Sequence, residues 1–175
     1  MQSMSNKNII KIMELFDDIR EVWTLKENIL RKILNNKDDL VDKILSNRNN
    51  NYLLELKNKI NSLNIDIITI LDENYPERLK YIYDRPIVLY IMGKYKEEDS
   101  LAIAIVSGLA LGIDSVAHKS AIEAGGRTIG VLGNGIDVIY PKKNYALYNE
   151  VAQNGIVFTE FPIGTQPFNY NFPQR

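Results

Sequence analysis

The 175-residue sequence contains no cysteine, which excludes a disulfide framework, a thiolate metal centre and a cysteine nucleophile. It has a single histidine, His118, too little for a histidine-based zinc site. Long apolar runs are missing too. No stretch approaches the ~18 residues that would read as a membrane span, and the start, MQSMSNKNIIK, has no apolar core followed by a small-residue cleavage site. A cytoplasmic protein with no membrane partner is expected. An excess of one charge is absent as well: 21 Lys and Arg stand against 22 Asp and Glu, a net charge of −1. A protein that coats nucleic acid by overall positive charge is therefore excluded, and any such contact has to come from a local site. With 45% hydrophobic residues the chain can still bury a core, and one main domain is the prior.

What is present is unevenly distributed. Residues 1–99 hold 33 of the 43 charged side chains and one of the ten glycines, whereas the last 76 residues hold ten charges and nine glycines. A charged helical segment followed by an α/β layer has this composition, because strands buried on both faces are apolar and their turns need glycine. From Asn8 to about Leu63, apolar residues recur at spacings of three and four, as short amphipathic helices require. The polar runs 35–39 and 46–51 read as loops or caps, and Trp23 as a core anchor. Domains are expected at 1–63, helical, and 64–175, α/β.

Strands are expected at 66–71 and 85–93, with a turn and short helix between them in which Pro76 takes the first helical position. The apolar run 101–106 reads as a buried parallel strand. It leads into Ser107-Gly108-Leu109-Ala110-Leu111-Gly112, a helix to Ala124, the stop Gly125-Gly126 and a strand over 127–132: one βαβ unit. Small residues in such a loop let a ligand approach the backbone, and free N–H groups at a helix start can hold a phosphate. A plain structural turn remains the competing reading, because neither G-x-G-x-x-G nor G-x-x-x-x-G-K-[ST] occurs. His118 lies one turn after Asp114 and reads as a structural histidine ahead of a catalytic one. Gly133-Asn134-Gly135, then Lys142-Lys143 before a helix at about 145–154, place positive charge beside a second glycine turn, where open α/β sheets bind ligands. A strand at 155–161 and an aromatic, proline-bearing loop follow. No catalytic set stands out, and Asp114, Asp137 and Glu160 read as caps or loop braces.

In order, YPERLKYIYDRPIVLYIMG, IVSGLALGIDSVAHKSAIEAGGRTIGVLGNGIDVIYPKKN and FTEFPIGTQPFNYNFPQR resemble the DNA-processing protein A (DprA/Smf) family over about residues 65–175. The preceding helices resemble that family's small N-terminal domain, of the SAM or helix-hairpin-helix kind. The resemblance implies a Rossmann-like, mostly parallel sheet with helices on both faces. It implies single-stranded DNA binding without catalysis or cofactor, in DNA uptake and natural transformation, with RecA recombinase loaded onto the strand and a homodimer as a possible assembly. It assigns the phosphate loop to Ser107, Gly108 and Gly112, a DNA-backbone contact to Lys142, and the start of an arginine-bearing stretch to Arg175; Lys143 and Arg127 are weaker candidates. Tyr145, Phe168 and Tyr170 are candidate base-stacking rings, with loop packing as the competing reading.

Two departures from the family pattern bear on function. The family's first strand ends in Gly-Ser-Arg and is followed by a helix and a second strand before Ser-Gly-Leu-Ala; here Ile105-Val106 leads straight to Ser107. The sequence also stops where the family continues with Asn-Arg-Ile-Ile. An incomplete sheet, marginal stability and impaired DNA binding are expected, since uncovered apolar surface forgoes ~25 cal/mol per Å². The alternative is an enzyme that binds nucleotides or processes nucleoside monophosphates on a related fold, although its Pro-Gly-Gly-x-Gly-Thr-x-x-Glu run is missing.

Overall fold

In the computed structural model, residues 6–16, 18–35, 37–96 and 104–174 are described. Two compact units form, one over 2–62 with 76–87 and the other over 63–75 with 88–175. The segment 76–87, read from the sequence with the α/β half, clusters with the helices.

The helical unit contains α1 (Asn6–Met13), a 3-10 turn (Ile19–Thr24), α2 (Glu27–Ile33), α3 (Asp38–Asn47) and α4 (Asn50–Ser62). Its apolar stripes converge on Ile12, Leu30, Leu34 and Val41, with Phe16, Val22, Leu25 and Ile44 packed around them. Arg48, just past α3, donates to the carbonyls of Leu25 (2.6 Å) and Val22 (2.8 Å), tying the end of that helix to the turn before α2. The break expected over 46–51 shrinks to Arg48 and Asn49, because the flanking asparagines join the helices. Trp23 is 38% exposed on its 3-10 turn and does not anchor the core. Pro76 sits just before a 3-10 turn (Glu77–Tyr81).

The second unit is the expected α/β layer. Its strands are β1 (Asp66–Thr69), β2 (Val88–Gly93), β3 (Ile105–Ser107), β4 (Thr128–Val131) and β5 (Ile156–Thr159), in the order β1-β2-β5-β4-β3. Strands β3, β4 and β5 run parallel, and β2 and β1 join antiparallel, so the sheet is mixed. α5 (Ile113–Glu123) and α6 (Tyr145–Asn154) make the crossovers and touch each other. Register places both helices on one face. Thr128 of β4 bonds His118 of α5, while Met92, partner of Val157 and hence level with Gly130, meets the hydroxyl of Tyr148 from α6. Leu89, Ile91 and Ile156 lie on the other face and are buried, whereas Val106, at its β3 end, is 58% exposed. Of the strand expected over 101–106, residues 101–103 lie outside the described residues. Among the described residues no helix is long and apolar enough to cross a membrane.

Candidate functional site

The glycine loop leaves the C-terminal end of β3 and turns into α5. Leu109 holds it from below: the side chain is 1% exposed, and its Cδ1 lies where a β-carbon on Gly130 of β4 would come within 2.8 Å. A side chain at 130 would therefore have to displace the end of the Leu109 side chain. Leu109 also takes φ +57, a left-handed conformation that costs a non-glycine residue ~1–2 kcal/mol, and its N–H donates to the Ser107 hydroxyl at 3.1 Å. Gly112, at φ +89, completes the turn and caps α5 without a side chain, so the first-turn N–H groups stay open to an acceptor.

Behind the loop runs a directed chain of hydrogen bonds. The Thr128 hydroxyl donates to the Ile105 carbonyl (3.2 Å), so it accepts from Nδ1 of His118. That assignment leaves Nε2 as the acceptor for the Ser107 hydroxyl, 2.7 Å away. His118 and Thr128 are both fully buried. Burial holds the imidazole pKa below its ordinary value, against a smaller upward pull from Asp114, which favours this neutral form. This pairing of a hydroxyl with an imidazole has no signature in the local sequence. The residues are eleven apart and meet because α5 packs back against the ends of β3 and β4, which carry Ser107 and Thr128.

Asp114 and Asp137 are the loop braces expected of them. A carboxylate oxygen of Asp114 accepts from the Ala110 N–H (3.1 Å), and Oδ1 of Asp137 accepts from the Gly164 N–H (2.7 Å). In the second glycine turn, Gly135 donates to the Thr165 carbonyl (2.9 Å), and Tyr148 donates to the Ile136 carbonyl (2.6 Å) from a buried position that raises its pKa. The ring of Phe172 lies over Gly133, 3.1 Å from the position of a β-carbon there. It also meets Tyr140 at 6.0 Å between centroids.

Lys142 and Lys143 occupy a 3-10 turn (Lys142–Asn144) that runs directly into α6, and both are exposed. Asn144, missed in the sequence, joins this turn to the glycine loop. Its amide donates to the carbonyls of Leu109 (2.9 Å) and Ala110 (3.1 Å) and reaches the Ser115 hydroxyl (2.9 Å). Ser107, Gly108, Gly112, Lys142 and Lys143 are thereby gathered at the C-terminal end of the parallel strands, and Arg175 lies outside the described residues. Arg127 donates to the Lys94 carbonyl at 2.7 Å. Of the candidate rings, Tyr145 is 62% exposed, and Phe168 stacks on Tyr170 at 5.3 Å and 8°. Among the described residues no group of three His, Asp or Glu could hold a metal ion.

The domain is a Rossmann-like α/β sheet that sets an uncapped helix start and a lysine turn at the C-terminal ends of its parallel strands, the edge at which open sheets of this class take ligands. The sequence profile of the DNA recombination-mediator protein A family matches residues 66–106 and 99–175, and the chain belongs to that family. It is 34% identical to Protein Smf of Synechocystis over 144 aligned positions, covering 64% of this chain and 36% of that protein. It is 35% identical to DNA processing protein DprA of Streptococcus pneumoniae over 134 positions, covering 61% and 48%. The crystal structure of DprA from S. pneumoniae superimposes with a TM-score of 0.70 at 27% identity, over 98% of this chain and 68% of that one. The chain thus spans about a third to a half of the length of these curated relatives. Residues 99–106 are matched twice by the profile. The 64% of 175 residues aligned with the Synechocystis protein is about 112, so about 32 of the 144 aligned positions have no residue here.

Proposed function

We propose that this chain binds single-stranded DNA without catalysing a reaction, as part of DNA processing during natural transformation, and that the bound strand is presented to RecA. The observation that carries this reading is the exposed Lys142–Lys143 turn fastened beside the uncapped start of α5. Lysines over backbone amides hold phosphates without reading bases, and exposed rings such as Tyr145 add stacking of ~1–3 kcal/mol per base. Affinity below that of a relative with the intervening segment is part of the proposal. The doubled match at 99–106 and the unmatched positions support it, because the Gly-Ser-Arg loop of the family pattern has no counterpart before Ser107.

The test is anisotropy titration of fluorescent oligo-dT through a salt series. Affinity should fall steeply as salt rises, and Lys142→Ala should weaken binding and reduce the logarithmic salt slope by about 0.7, the value for one phosphate contact on a single strand. Binding that ignores salt, or affinity equal to that of full-length S. pneumoniae DprA, would overturn the respective part.

Processing of nucleoside monophosphates is the second reading, favoured by the Ser107–His118 pair. It ranks below binding because His118 is backed by a threonine hydroxyl instead of a carboxylate. Robust hydrolysis of nucleoside monophosphates by the purified chain would reverse the ranking.

A further inference from the structure

We infer that Asn144 is a positioning residue which makes the glycine loop and the lysine turn one binding surface; this rests on the reading of those segments as the DNA contact. Asn144 is 9% exposed and stands at the junction of the two elements. Its backbone N–H donates to the Pro141 carbonyl at 2.9 Å and closes the lysine turn, while the Tyr145 N–H returns to the Lys142 carbonyl. As the residue before α6 it could cap that helix, yet its side chain makes no capping bond. The amide reaches across 35 residues of sequence to the Leu109 and Ala110 carbonyls. Ser115 adds a second strut by donating to the Ala110 carbonyl at 2.7 Å.

The partners explain why the residue is an amide. The Leu109 carbonyl takes its donor from this side chain and the Ala110 carbonyl takes a second one beside Ser115, donation that a carboxylate cannot supply, at a site where a lysine ammonium would be buried. The exposed lysines are one and two residues before Asn144, so any slack at its side chain shifts their position relative to the α5 amides. Asn144 itself is buried and acts through Lys142 and the loop.

The experiment uses the whole chain with Asn144→Leu, which keeps the shape and removes the donor, and Asn144→Ser, which keeps a shorter donor. Amide hydrogen exchange is the first readout. Asn144→Leu should accelerate exchange at Leu109, Ala110 and Tyr145 by at least about tenfold, the effect of one lost buried hydrogen bond, while β4 and β5 stay as in the parent. Asn144→Ser should lie closer to the parent and reports the same quantities should the leucine variant fail to fold. Unchanged exchange at the loop, or equal acceleration throughout the sheet, would overturn the inference. The second readout is a double-mutant cycle on oligo-dT binding. The loss caused by Lys142→Ala should shrink markedly in the Asn144→Leu background, and an undiminished loss there would overturn the coupling. If the parent does not bind oligo-dT, the functional reading falls, and exchange alone decides whether Asn144 holds the two segments together.

Discussion

Replacing Thr128 by valine removes one hydroxyl and almost no volume from a site with no solvent access. The hydroxyl accepts from His118 and donates to the Ile105 carbonyl, so its removal leaves a donor and an acceptor without that partner. His118 and Thr128 are both 0% exposed, and the stranded imidazole N–H has no water to turn to. An unsatisfied buried polar group costs ~1–3 kcal/mol; Ile105 is only half-buried and contributes at the low end. A net loss of ~2 kcal/mol is expected, a large part of the ~5–15 kcal/mol that folded domains have. At ~2–4 °C per kcal/mol for a chain of this size, the melting temperature should drop by ~4–8 °C. The imidazole has one escape: moving its proton to Nε2 and donating to Ser107. Nitrogen NMR of His118 would show that change of tautomer. Thermal melts of the two proteins at pH 7.5, with the NMR spectra, make the assay. A melting temperature within about 1 °C of the parent, with Nδ1 still protonated, would refute the relay.

Acid should destabilise the protein through the same histidine. Its folded pKa is lowered by burial, so as pH falls the unfolded chain takes up the proton first, near pH ~6.5, and stability declines from there toward the depressed folded value. Urea midpoints at pH 7.5 and 5.5 should show this decline, and His118→Gln should flatten it; an equal decline in that variant would assign the effect to other groups. Gly130→Ala should cost ~1–3 kcal/mol by pushing on the Leu109 side chain, measurable as a lower urea midpoint with an unchanged slope. A neutral result would mean that Leu109 repacks freely.

Much of the fold was legible because its signals are local. The apolar runs of β2, β4 and β5, the glycine stops around α5 and the lysine turn before α6 all follow from patterns within about ten residues. Errors arose where burial outweighs local character. Trp23 carries a large apolar ring but sits on a short 3-10 turn that leaves it 38% exposed, and the asparagines around 46–51 extend helices instead of breaking them. The loop residues Ser107, Gly108 and Gly112 were visible as a strand-to-helix glycine turn. Their supports were not: the contacts Ser107–His118, Thr128–Ile105 and Asn144–Leu109 depend on which strand lies beside which. One signal was available, since Thr128 is a polar residue inside an apolar strand and needs a partner if that strand is buried.

These supports also explain how a leucine can occupy a conformation that favours glycine. Leu109 at φ +57 gives up ~1–2 kcal/mol locally, and its side chain cannot offset this by a hydrogen bond to its own backbone as asparagine or aspartate can. The surrounding groups determine the geometry instead. Ser107 accepts from its N–H, Asn144 donates to its carbonyl, and Gly130 makes room for its side chain. Glycine at 109 would relieve the backbone but forfeit a leucine buried to 1% exposure, worth ~1.5–3 kcal/mol, so the strained residue is the more stable choice. Burial of that one side chain fixes the loop to the sheet, the relay through His118 and the amide of Asn144 fix its direction, and the lysines inherit their position from both.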